Sequence, residues 1–308
     1  MRARKLQRGD TIGIVAPASP APWEDTEKAL MQLTKRGYQI KLGSSVRQSR
    51  GYLAGSDEVR ARDINQMFAD SEVKAIFCLR GGYGSQRILD KIDYDMIRRN
   101  PKIFMGYSDI TALHTAIFQK CKLITFHGPM PAIDMAEDLP IFTESWLYKA
   151  IAEDQPMGML FNPKGYALHG LIEGRAKGRL VGGNLSLLAA SMGTPYEIDT
   201  KDKILFLEDI GEEPYRIDRM LNQLRLGGKL RDAVAIILCD FRDCRSKQLQ
   251  NTLDLEEVFE DMLMDLNKPV LCGYKIGHCV PQITIPIGIK AIVDSAQKEL
   301  ILLEKAVI

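Results

Sequence analysis

The segment Lys102-Ile-Phe-Met-Gly-Tyr-Ser-Asp-Ile-Thr-Ala-Leu-His114 runs an apolar stretch into Gly106, Tyr107, Ser108 and Asp109, and a helical pattern follows immediately. A sharp strand-to-helix turn lifts its central side chain clear of a sheet, above the start of the helix, as a nucleophile elbow does for its serine. Gly106 stands where the first glycine of G-x-S-x-G relieves crowding, but Ile110 occupies the place of the second, so the motif is half matched. The competing reading is that Ser108 or Asp109 caps the helix. A serine hydroxyl attacks only when a base takes its proton, and that base needs an orienting partner. Four histidines are available: His114, His127, His169 and His278. His127 and His278 lead. The first ends an apolar run in Phe126-His-Gly-Pro129, and the second lies in the loop Tyr274-Lys-Ile-Gly-His-Cys-Val-Pro281, where function commonly sits. His114, two turns into the helix, faces the core, and His169 falls in a weakly patterned connection.

For the orienting acid, Ile204-Leu-Phe-Leu-Glu-Asp-Ile-Gly211 ends a buried strand directly in Glu208 and Asp209, where rigid backbone would aim a carboxylate. Asp209 or Glu212 equally suits a turn or the start of the helix after Pro214. The chain order serine, acid, histidine is that of α/β-hydrolases. Arg80-Gly-Gly-Tyr-Gly84 follows another apolar run. Glycines there let backbone N–H groups approach a ligand, either to cradle a phosphate or to lend one amide to an oxyanion beside Ser108. The spacing matches neither GxGxxG nor a P-loop, and no HExxH or ligand-spaced His/Cys/carboxylate cluster occurs, so no cofactor or metal is expected.

These residues need elements to carry them. Apolar runs at 11–16, 75–79, 102–105 and 123–126 lack polar alternation and read as buried strands. Amphipathic stretches lie between them. In 26–35 Ala29, Leu30 and Leu33 share one face and Gly37 ends the helix, while Ser56 N-caps the next, with Asp57 and Glu58 in its first turn. That rhythm predicts an α/β fold, an amino-terminal parallel sheet flanked by helices, over residues 1–135. Prolines and glycines punctuate 136–170, which reads as a linker. Residues 171–308 read as a β-rich mixed domain, with strands at 204–207, 233–239, 270–272, 291–293 and 300–303 and helices at 185–192, 217–226 and 255–266.

Composition narrows the partners. The 308 residues suit ~2 domains. Lys plus Arg is 41 against 40 for Asp plus Glu, a net charge of +1, which argues against nucleic acid or an anionic membrane, since both select a basic surface. No apolar stretch approaches the ~18–20 residues of a membrane span, and residues 12–18 are too short for a secretory core. The six cysteines form no CxxC pair and read as reduced residues of a cytoplasmic protein, three of them inside apolar runs.

With these residues in place, the chain resembles the LD-carboxypeptidases, serine peptidases that trim murein peptides and whose relatives include the microcin C immunity peptidases. The resemblance runs from Gly9-Asp-Thr-Ile-Gly-Ile-Val-Ala-Pro-Ala-Ser19 through Arg80-Gly-Gly-Tyr-Gly84, Gly106-Tyr-Ser-Asp-Ile-Thr111 and His127-Gly-Pro-Met130. It continues in Gly182-Gly-Asn-Leu-Ser186, Leu207-Glu-Asp-Ile-Gly-Glu212, Gly277-His278 and Pro286-Ile-Gly288. It implies a triad of Ser108 as nucleophile, His278 as base and Glu208 as its orienter. The oxyanion hole it implies is the backbone amides of Gly82 and Asp109. The implied fold is an amino-terminal α/β domain and a smaller β-rich one, with the site between them, commonly as a homodimer. Cys279 departs from the glycine expected after the histidine and sets a side chain beside the base. The implied substrate is a small peptide, a murein tetrapeptide whose terminal D-alanine is cut from the L-centre of diaminopimelate or lysine in peptidoglycan recycling. A toxic peptidyl-nucleotide is the alternative, and a non-catalytic binding protein whose 81–84 loop holds a small anion is the third.

Overall fold

A computed structural model describes residues 1–246 and 252–308. Its strands are β1 (Thr11–Val15), β2 (Gln39–Leu42), β3 (Val73–Cys78), β4 (Ile103–Gly106), β5 (Thr125–His127), β6 (Pro156–Leu160) and β7 (His169–Ile172). There follow β8 (Arg175–Asn184), β9 (Lys203–Ile210), β10 (Ala235–Arg242), β11 (Val270–Cys272), β12 (Ile285–Ile287), β13 (Lys290–Asp294) and β14 (Glu299–Lys305). The chain divides into two compact units: residues 1–155 with 284–288 and 305–308, and residues 156–283 with 289–304.

The first unit holds a six-stranded sheet in the order β12-β5-β4-β3-β1-β2. Its pairings are parallel except that of β12 with β5. β1, β3 and β4 are buried almost throughout because Ile, Val, Phe and Met occupy both faces. β2 closes one edge and keeps Gln39 and Lys41 exposed, which discourages further pairing. The helix Trp23–Lys35 buries Thr26, Ala29 and Leu33, one stripe at helical spacing, and Gly37 follows its end at φ +90°. Ser56 caps the helix Asp57–Ala69 by accepting from Val59 N–H at 3.3 Å. The strand order reverses at β1, so the loops leaving the carboxyl ends of β1 and β3 part from one another there. In open α/β sheets that divergence opens a ligand crevice. Ser19 and residues 80–84 stand in those two loops.

The second unit holds an eight-stranded mixed sheet, β6-β14-β13-β8-β9-β10-β11-β7, whose centre β8-β9-β10-β11 is parallel. β8 and β9 approach closely at Gly182, where a Cβ would lie 1.9 Å from the Phe206 carbonyl oxygen, so only glycine fits. This close pairing sets Asn184 opposite Glu208.

The expected linker at 136–170 contains a helix and strands. Its first part forms the helix Ile141–Ile151, which buries Trp146, Leu147, Ala150 and Ile151 in the first unit, and β6 and the start of β7 belong to the second. Its prolines open elements instead of breaking them: Pro140 is an N-cap and Pro156 begins β6. Residues 171–308 do not stay together either, because β12 pairs with β5, and Ile308 exchanges backbone hydrogen bonds with Ala3 and Lys5 at 2.9 and 2.8 Å. Pro286 is tolerated in β12 because that strand is at the sheet's edge.

The helix Thr111–Cys121 carries His114 into the core. Its ring is fully buried, packs edge-on to Phe104 at 5.6 Å, and donates from Nε2 to the Gly106 carbonyl at 2.8 Å, which leaves Nδ1 without a partner. Burial pulls its pKa from 6.5 down to about 4. An unfolded chain therefore holds a proton between those values that the folded chain lacks, and stability falls as pH drops through the window. At ~1.4 kcal/mol per unit, the loss is about 3 kcal/mol. Both tryptophans, Trp23 and Trp146, lie in the first unit, so denaturant unfolding followed by tryptophan fluorescence reports on it. His114→Gln is expected to flatten the decline between pH 6.5 and 4 by about that amount. Parallel wild-type and variant profiles would contradict this assignment.

Candidate active site

Ser108 is the one residue of the run 102–110 that is not buried, and it adopts φ +63°. That left-handed conformation costs a serine roughly 1–2 kcal/mol and holds its side chain above the carboxyl end of β4. Two glycines make room for it. A Cβ on Gly106 would press on Ile110 at 3.0 Å and Cys78 at 3.1 Å, and one on Gly81 would lie 2.8 Å from the Ser108 Cβ. The elbow glycine missing at position 110 is thus replaced by Gly81 from the neighbouring loop. Neither Ser108 nor Asp109 caps the helix that follows. The Asp109 carboxylate instead accepts from Ser85 N–H at 2.8 Å.

The glycine loop is shaped from the β1 side. Gly82 has φ +111°, and a Cβ there would lie 2.3 Å from Ser19 Oγ. That hydroxyl accepts from Tyr83 N–H at 3.1 Å, and Ser19 N–H donates to the Gly81 carbonyl at 3.4 Å. Gly82 is exposed, and the Asp109 amide nitrogen lies 3.4 Å from where a Gly81 Cβ would stand. The two amides expected to receive an oxyanion therefore belong to adjoining turns of the first unit.

The second unit brings Glu208 and His278 together. Glu208, at the carboxyl end of β9, is fully buried, and its Oε2 accepts from His278 Nδ1 at 2.7 Å and from the His278 backbone N–H at 3.4 Å. With Nδ1–H donating, Nε2 carries the lone pair, the arrangement a general base requires. Burial raises the Glu208 pKa, opposed by the hydrogen bond and charge of His278, and its Oε1 has no partner. A carboxylate so poorly solvated gains most when an imidazolium forms beside it. Gly277, at φ +98°, permits the approach: a Cβ there would lie 2.3 Å from Glu208 Oε2. Gly277→Ala is therefore expected to lower turnover about a hundredfold by displacing the imidazole. Activity within threefold of wild type would show that the approach is not needed.

Asp209 faces the other way along the strand and has a separate task. It accepts from Asn184 Nδ2 at 3.0 Å and from Ser186 N–H and Oγ at 2.9 and 2.8 Å, fixing the start of the helix Leu185–Ala190, and not of the one after Pro214. Glu212 pairs with Arg216 at 3.4 Å. Of the remaining histidines, His127 is buried against Tyr107 and His114, with ring centroids 5.8 and 6.4 Å away, and His169 is exposed on the edge strand β7. Cys279 is 4% exposed and lies near Cys239. Ser19 and Ser85, which hold the glycine loop and the Asp109 carboxylate, are not singled out by the sequence reading, although Ser19 lies inside a motif that carries the resemblance.

The LD-carboxypeptidase N-terminal domain matches residues 12–128, and the LD-carboxypeptidase C-terminal domain matches residues 177–293. The chain belongs to the LD-carboxypeptidase family. It is 48% identical, over 96% of its length and 92% of the relative's, to a probable murein peptide carboxypeptidase of Bacillus subtilis. Among solved structures, the muramoyltetrapeptide carboxypeptidase of Oxalobacter formigenes superposes with a TM-score of 0.84 at 31% identity, covering 95% of this chain and 97% of that one. The microcin C7 self-immunity protein MccF in complex with glutamyl sulfamoyl guanosine gives a TM-score of 0.92 at 26% identity, covering 100% and 99%. Among its described residues this member of the family has no helix long and apolar enough to cross a membrane.

Proposed function

We propose that this member of the family is a serine LD-carboxypeptidase that removes the terminal D-alanine of murein tetrapeptides, cutting the amide at the L-centre of diaminopimelate or lysine. The hydrogen bond from His278 Nδ1 to the buried Glu208 carboxylate at 2.7 Å carries the reading, because it orients the imidazole with the lone pair on Nε2. His278 takes the Ser108 proton as Oγ attacks the scissile carbonyl carbon, and Glu208 stabilises the imidazolium. The amides of Gly82 and Asp109 receive the charge on the carbonyl oxygen, each such donor contributing ~3–4 kcal/mol. The tetrahedral centre collapses, the C–N bond breaks, and His278 gives its proton to the departing D-alanine amine. Water, deprotonated by the same imidazole, then hydrolyses the ester to Ser108. All six cysteines are buried, as reduced core residues are, in keeping with the cytoplasmic recycling of murein fragments proposed here.

The substrate is supported by the murein peptide carboxypeptidases among the relatives. A second reading keeps the triad and changes the substrate to a toxic peptidyl-nucleotide, favoured by the higher TM-score of the MccF complex. Incubating one preparation with a murein tetrapeptide and with a peptidyl-adenylate analogue decides between them by chromatography. Release of D-alanine at a kcat/KM at least tenfold above cleavage of the analogue is the expected result. The reverse ratio would transfer the assignment to the nucleotide conjugate.

A further inference from the structure

Arg60 is a fully buried guanidinium in the helix Asp57–Ala69. Burying a cation costs several kcal/mol unless its hydrogen bonds are met and its charge is paired. Here Nη2 meets Asp57, which also takes Arg87 at 2.9 Å. Nη1 donates to two carbonyl oxygens, that of Pro17 and, at 2.7 Å, that of Gly84. Pro17 belongs to the loop after β1 and Gly84 to the loop after β3, so one planar cation ties together both loops at the strand-order reversal.

Gly84 and Ser85 are also gripped from the opposite side. The Gly84 and Ser85 N–H groups both point to the Asp109 carboxylate, the second at 2.8 Å, and Ser85 Oγ donates to the Asp109 carbonyl at 2.5 Å. Asp109 and Ser85 are each at most 1% exposed, so the low surrounding dielectric strengthens these bonds. The chain of contacts runs from Asp57 through Arg60, Gly84 and Ser85 to Asp109. It ends at the turn that carries one proposed oxyanion amide and passes two residues from Gly82, which carries the other. We propose that Arg60 and the Asp109 carboxylate, joined through Gly84 and Ser85, are positioning residues that set the separation of the two oxyanion-hole amides. This rests on the serine-peptidase reading above. Neither side chain needs to touch substrate. Their effect falls on a charge that exists only in the transition state, so it enters kcat and not ground-state binding.

Three variants test it: Ser85→Ala, Asp109→Asn and Arg60→Lys, the last keeping the charge but not the planar fork that reaches three acceptors. Each is first shown to be folded by circular dichroism and tryptophan fluorescence. Then kcat and KM on the tetrapeptide are measured, together with the inhibition constant of a peptide boronate that forms a tetrahedral adduct with serine. A displaced amide is expected to lower kcat by about 10- to 100-fold. KM should stay within about threefold, and boronate affinity should fall by the same factor as kcat/KM. Folded variants with wild-type kcat, or with KM changed and boronate affinity intact, would overturn the proposal. Ser85→Ala removes a single oxygen and carries the test if Arg60→Lys does not fold. Failure of the underlying reading looks different: the wild type itself would form no boronate adduct, and Ser108→Ala would keep full turnover.

Discussion

Ser108→Ala is expected to lower turnover by about 10⁴–10⁶, the loss found when the nucleophile of a serine triad is removed. Its fold should survive almost unchanged. The substitution deletes one half-buried oxygen that caps no helix, and alanine meets the same left-handed backbone penalty that serine already bears at φ +63°. Chromatographic assay of D-alanine release, beside fluorescence-monitored unfolding, separates the two effects. Unfolding within ~1 kcal/mol of wild type together with the lost rate assigns the serine to chemistry. A variant retaining a tenth of the activity would place the nucleophile elsewhere.

Glu208→Gln is expected to cost about 10³–10⁴ in turnover. Glutamine fills the same volume, but it brings no charge to stabilise an imidazolium. Its amide N–H also competes for the oriented tautomer by facing His278 Nδ1. Stability should move the other way. Burial raises the folded pKa of Glu208 above 4.5, so in the window above that value the unfolded chain gives up the proton first. Wild-type stability therefore falls as pH rises through the window. The neutral amide has no such fall, so Glu208→Gln should gain on wild type as pH rises above 4.5. Calorimetry at the start and the end of that rise measures the sign. A variant that loses ground as pH rises would show the carboxylate to be well solvated by its partners. Such an exchange of stability for rate is expected where a catalytic acid is buried.

What could be read in the sequence follows from how local each signal is. The strands β1, β3 and β4 were legible because parallel strands covered on both faces are written as continuous apolar runs. Ser108 was legible because β4 runs straight into it. Strand pattern alone left Glu208 and Asp209 indistinguishable, since neighbours on a strand differ only in the face they take, and only the resemblance favoured Glu208. The structure separates them by giving Asp209 to the Leu185–Ala190 helix start and Glu208 to His278. Prolines at 140 and 156 misled because proline opens elements as readily as it ends them. Arg60 was illegible for a deeper reason. One arginine in an amphipathic helix looks like any solvated charge, and only the carbonyls that converge on it, from loops distant in sequence, make it part of the site.

We propose that the Ser108 hydroxyl is made nucleophilic by the His278 imidazole. Labelling with a fluorophosphonate, followed by peptide mass spectrometry, tests it most directly, because the probe phosphonylates only an activated serine. A single adduct on the peptide containing Ser108 is predicted, absent from Ser108→Ala and formed at least ~10³-fold more slowly in His278→Ala. No adduct on the wild type, an adduct on a different serine, or undiminished labelling of His278→Ala would contradict the account.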